Sequence, residues 1–253
     1  MTSKEINEFK TKAVIALGER RIVDTIELLR ALPGGVPGYD IRADLDAVAE
    51  HYRYMLHYFT RGAEDPERKS NYNNLCAELR AIIDRCVRRL YQEAMPSQYY
   101  NVARTLAMHP ERNMLFVLKE YEAAVERLAG SFDIDGSIAK DKQNVRMLEK
   151  EIFERVWTSF PLDKTDETAL REALDSDSRC GHSMRMRIVA AIGLGLLEFY
   201  DPRRIYLLCE VLDAATDERE ATAASAVLLI SLFRYRSRKH FVGVRDRIAA
   251  AAE

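Results

Sequence analysis

YDPRRIYLLCEVLDAATDEREATAASAVLLISLFRYRSR, residues 200–238, sets two apolar helical runs on either side of a polar break. Asp201 followed by Pro202 is helix-start chemistry, because the carboxylate can satisfy an orphan amide while proline lacks the N–H that would be orphaned anyway. ATDERE turns the chain, and AASAVLLISLF is apolar nearly all round, as a helix enclosed by neighbours should be. Leu170 and Leu174 align with Leu208 and Leu212 at an offset of 38, which also sets Ala191, Ile192 and Leu194 on Leu229, Ile230 and Leu232. A helical pair recurring at that period, the second helix the more apolar, predicts an all-α fold: an α-solenoid of stacked antiparallel helical hairpins.

Working outward, the same helical period fills the chain. Ile6, Phe9, Ala13, Ala16 and Leu17 mark one face of a helix over 4–17, and a second follows to residue 32. PGGVPG at 33–38 is a loop, since its prolines remove donors and its glycines favour open backbone. Leu45, Val48, Tyr52, Met55, Leu56 and Phe59 predict a helix over 44–61 with an aromatic core stripe in HYRYMLHYF. Asp65-Pro66 predicts the start of a helix running to 94, and further helices are expected over 97–109 and 110–128. Beyond SFDIDGS at 131–137, Leu148, Ile152, Val156 and Trp157 form a core stripe over 138–160, and Thr165 or Asp166 is expected to cap a short helix to 174. The resulting organisation is a first group of hairpins over 1–130 and further helical repeats over 138–253, with 131–137 read as an inter-repeat loop.

The chain has 253 residues, 47% of them hydrophobic and 31% charged, with a net charge of −2. That composition excludes disorder and offers no global attraction to nucleic acid or anionic lipid. The start MTSKEINEFKTK has no apolar signal region and no run is long enough to span a membrane, so no membrane association and a cytoplasmic location are expected. Cys76, Cys86, Cys180 and Cys209 lack CxxC spacing and read as reduced thiols.

The part of the chain from about residue 166 resembles HEAT-type repeats, on AAIGLGLL at 190–197 and the Asp-Pro-Arg helix start at 201–203. ALGERRIVDTIELLRAL and HYRYMLHYFTRGAEDPERKSNYNNL are similar to the leading part of large bacterial tetratricopeptide-like or HEAT-like helical-repeat proteins. The resemblance implies a scaffold or assembly role. RDRIAAAAE, alanine-rich and without a stop, leads us to expect the front part of a longer polypeptide.

Chemistry-bearing motifs are absent from the sequence. There is no GxxxxGK[ST], HExxH or GxSxG, and Gly193-Leu194-Gly195 lies inside a helix, where glycines admit a close neighbour. Cys180-Gly181-His182 pairs a thiol with an imidazole at a helix start that could lower the thiol pKa, but neither a base with a third orienting group nor further metal ligands can be named. His51 and His57 point to different helix faces. Tyr99 and Tyr100 fit a recognition surface or hairpin packing equally well, and FDIDG resembles a calcium loop without its closing Glu. No catalytic residue, cofactor or metal is expected.

FRYRSRKHF at 233–241 interleaves Arg234, Arg236, Arg238 and Lys239 with aromatic rings, and Arg203 and Arg204 form a second basic pair, Arg185 and Arg187 a third. Such rows can bind phosphate and stacked bases, although basic residues at a helix C-terminus also simply complement its dipole. The expected function is a non-enzymatic protein or peptide interaction scaffold. The alternative is a nucleic-acid-binding solenoid using the residues around Arg203 and Arg236, and the remaining alternative is an enzyme with a pocket in a concave face.

Overall fold

A computed structural model describes residues 1–62, 66–130, 137–236 and 238. Eleven helices and no strand occur among the described residues, and no helix there is long and apolar enough to cross a membrane. The chain divides into two compact units, Met1–Ser97 and Gln98–Glu253.

The first unit contains α1 (Ser3–Gly18), α2 (Ile22–Arg30), α3 (Tyr39–Thr60) and α4 (Arg68–Ala94). A reciprocal pair of hydrogen bonds between Thr2 and Glu5 starts α1 and satisfies two otherwise orphaned amides. Gly34, Gly35 and Gly38 all take positive φ in the predicted loop, and α3 begins directly after Gly38, earlier than the apolar period alone suggests. α4 packs against both α1 and α3, burying Leu75, Leu79, Ile82, Ile83, Cys86 and Val87 on its inner side. It begins at Arg68, without a side-chain cap: Pro66 and Glu67 form a turn, and the expected cap Asp65 lies outside the described residues.

The second unit contains α5 (Gln98–Ala107), α6 (Met114–Gly130), α7 (Ser137–Thr158), α8 (Lys164–Leu174), α9 (His182–Glu198), α10 (Pro202–Ala214) and α11 (Glu218–Arg234). α6 starts at Met114 rather than Pro110, because the Asn113 side chain accepts the Phe116 amide at 2.9 Å. α5 and α6 both pack on α7, so the division of the chain falls at 97/98 and the helices flanking 131–136 share one core. The residues 131–136 themselves, where a loop is expected, lie outside the described residues. Leu148, Ile152 and Val156 of α7 enter the core as their spacing predicts. The cap of α8 is Asp163, which accepts the Asp166 amide at 2.7 Å, in place of the expected Thr165 or Asp166.

α8 packs on α10 and α9 on α11. Ala169, Leu170 and Ala173 are buried where Leu207, Leu208 and Val211 are, which is the offset of 38 seen in the sequence. The second helices match at a different offset: Met184, Ile188, Ile192 and Gly195 of α9 are buried, and so are Glu220, Ala224, Leu228 and Ser231 of α11, 36 residues on. The shift arises because residues 215–217 make a shorter connection than residues 175–181, only partly offset by the longer α10. Leu229 and Ile230, aligned with buried residues in the sequence, are therefore exposed on α11 together with Phe233.

Candidate functional site

The residues singled out from sequence separate into buried and exposed sets. Arg204 is only 2% exposed, so it is not part of a surface row. Its Nη2 donates to the Val156 carbonyl at 2.6 Å and to the Ser159 carbonyl and hydroxyl, and its Nε lies 3.8 Å from Asp201 Oδ2. Burial pulls its pKa down, with Asp201 opposing, and Nε and Nη1 have no hydrogen-bond partner among the described residues. Asp201 also accepts the Leu162 and Arg203 amides, so one carboxylate caps α10 and offsets the buried cation. Gly195 is the reason the guanidinium fits: a Cβ there would overlap Arg204 Nη1 and come 2.8 Å from the Trp157 carbonyl oxygen. Gly193 faces Val227 of α11, so each glycine of the GLG run admits a neighbour, as expected.

Arg203 is half-exposed and lies 3.2 Å from Glu167. Arg238 lies 4.9 Å over the Tyr200 ring, while Arg234 and Arg236 are exposed beside Tyr235 and Phe233. Lys239 lies outside the described residues. The described part of the basic row thus offers two exposed guanidiniums, Arg234 and Arg236.

Cys180 is fully buried, and burial pushes its thiol up to about 11, the reverse of activation by a helix start. His182 instead meets the buried carboxylate of Glu220 at 2.8 Å, and Arg185 donates to the same oxygen at 2.9 Å, which ties α9 to α11. Arg187, the other member of that basic pair, lies 3.5 Å from Glu149. Tyr99 and Tyr100 are packed inside rather than displayed.

The largest departure from the sequence reading is at the end of α3. Ile41, Leu45 and Val48 are buried, and over residues 50–60 burial stops: Tyr54, Tyr58 and Phe59 are 51%, 62% and 49% exposed. HYRYMLHYF is therefore not a core stripe. What faces it is the start of α4, where Arg68 lies 3.5 Å over the Phe59 ring and Tyr72 meets Tyr52 edge-on at 6.5 Å. Residues 68–74 of that helix are polar apart from Tyr72 and bury nothing fully, so the apolar period of α3 runs past the element that could cover it. Leu56 is exposed on the same helical end, and Arg53 lies 5.7 Å over the Tyr54 ring.

Next to this aromatic end, Arg20, Pro66, Arg68, Lys69 and Tyr72 line an open depression of about 440 Å³. The Tyr72 hydroxyl donates to the Arg20 carbonyl at 2.6 Å, and burial raises the phenol pKa. Composition gives no hint of this depression. The available signals are the short basic clusters ERR at 19–21 and ERK at 67–69, which the fold brings together. No family model, curated protein or solved structure matches the chain.

Proposed function

We propose that the chain is a non-enzymatic interaction scaffold of helical-repeat type that holds a polypeptide partner on the exposed end of α3. The observation that carries this reading is the solvent-facing set Tyr54, Leu56, Tyr58 and Phe59, on a helix whose first half is properly buried. Large apolar side chains clustered on a surface mark contact sites, and tyrosines beside guanidiniums are typical of the residues that carry binding energy there. Arg53, which also meets Glu50 at 3.5 Å, and Arg61 stand exposed at the same end, so the occupant that fits is a segment with apolar anchors and acidic flanks.

A stacked-hairpin architecture is supported by the paired packing of α8 on α10 and α9 on α11, and by their matching burial registers. In such a stack the exposed stripe Ala226, Leu229, Ile230 and Phe233 of α11 is the face that a further hairpin would cover. The nucleic-acid reading finds less support, since Arg204 is buried and Arg203 and Arg238 are engaged locally.

The test is quantitative affinity capture from a bacterial lysate with the full chain and with a Tyr58→Ser/Phe59→Ser variant. A protein retained by the first, lost by the second and indifferent to nuclease supports the scaffold. Identical capture by both chains, or nucleic acid as the retained species, refutes it.

A further inference from the structure

The depression between the end of α1 and the start of α4 gathers three cations, Arg20, Arg68 and Lys69, and none of them meets a carboxylate among the described residues. The acids nearest in sequence to Arg20 are already engaged: Glu19 and Asp24 both pair with Arg21 at 2.7 Å. Arg20 itself is held in place, with a φ of 63° at the corner after α1 and its carbonyl bound by the Tyr72 hydroxyl at 2.6 Å. Arg68 is stacked over Phe59, which fixes the direction of its guanidinium without neutralising it. Tyr72, whose ring lies 5.8 Å from the Arg20 guanidinium, and Pro66 complete the lining.

We infer that this depression is a binding site for a phosphate monoester, with the phosphate among Arg20, Arg68 and Lys69 and the rest of the ligand against Tyr72 and Pro66. Like charges brought together without a counter-ion repel, and a dianion removes that repulsion while gaining charge-assisted hydrogen bonds. Guanidinium forks match phosphate oxygens in pairs, and a lysine adds a mobile point charge beside them. The volume of about 440 Å³ is far more than a phosphate fills, and it falls within the range of small-molecule sites. A phosphate carried on a ring-sized or apolar body therefore has room against Tyr72 and Pro66 that the bare ion would leave empty. The site stands whether or not a polypeptide occupies the end of α3. Its phosphate can come from a free small molecule or from a phosphorylated side chain, and the chemistry recognised is the same.

Calorimetric titration of the full chain distinguishes these. The probes are phenyl phosphate, inorganic phosphate and a phosphoserine peptide with its unphosphorylated control, each at low and moderate salt. Phenyl phosphate should bind more tightly than inorganic phosphate and lose affinity as salt rises. Arg68→Gln/Lys69→Gln should weaken it roughly tenfold or more, with Arg20→Gln as an independent variant in case the double change perturbs the start of α4. A phosphopeptide that binds much more tightly than phenyl phosphate, against a silent control peptide, assigns the source to a partner's side chain, while equal binding assigns it to a small molecule. No heat with phenyl phosphate, or the same affinity in wild type and both variants, overturns the site.

Discussion

Tyr99 and Tyr100 of α5 are 4% and 5% exposed and meet edge-on at 5.0 Å, with Trp157 edge-on to Tyr99 at 5.5 Å. The rings of Tyr54, Tyr58 and Phe59 on α3 are chemically similar and stand in solvent. Both sets sit on helices that bury other apolar residues, so the difference lies in the facing element. α5 meets α7, which supplies Trp157 at an apolar surface. The end of α3 meets residues 68–74, where arginine, lysine, serine and asparagines outnumber the single tyrosine. A buried aromatic side chain removes about 150–250 Å² from water, worth several kcal/mol at roughly 25 cal/mol per Å². On α3 no element among the described residues takes up that gain.

The contrast is broken most severely from its buried side. Tyr99→Ala should lower stability by about 3 kcal/mol, because it leaves a cavity beside Trp157 and Tyr100 that packed helices fill only in part. Urea denaturation followed through Trp157 fluorescence measures it, and a loss under ~1 kcal/mol would mean that α5 does not dock on α7 in solution. Gly195→Ala should cost somewhat less, about 1–3 kcal/mol, since a single methyl must displace the buried Arg204 guanidinium. The same denaturation series reads it out, and adding Arg204→Met should recover part of the loss by vacating the space. A fully additive double variant would show that Arg204 is not what confines Gly195.

These two sites also show where sequence reasoning stops. The helices were legible because apolar spacing and helix-start chemistry are local: Asp201 does accept an amide at the start of α10. Burial is not local. The spacing of Tyr52, Met55, Leu56 and Phe59 reports that one side of α3 is apolar and says nothing of whether a neighbour reaches it. Arg204 fails in the opposite sense, since a charged side chain beside another arginine reads as surface, and only Gly195, nine positions upstream on a different helix, makes room for it. That the cations of the depression meet was invisible for the same reason, since they are split between 20 and 68–69. The register of α11 was misread by two residues because a connection length, not the helix pattern, sets it.

The smallest effect on stability comes from the exposed side of the contrast, and its smallness is the point. Tyr58→Ser/Phe59→Ser removes two large rings, a change that inside α5 would unfold much of the second unit. On α3 it should alter the denaturation free energy by only about 0.5 kcal/mol, within the range of ordinary surface substitutions, plus whatever Arg68 loses by giving up its stack on Phe59. Helix propensity changes little, since serine and the aromatic residues rank closely in helix interiors. Circular dichroism and urea denaturation of the double variant measure this directly. A loss of several kcal/mol would mean that the rings pack against the protein's own core in solution, and the surface assigned to a partner would not exist. An unchanged midpoint together with lost capture would separate binding energy from folding energy at the same residues, which an interaction surface does and a core stripe cannot.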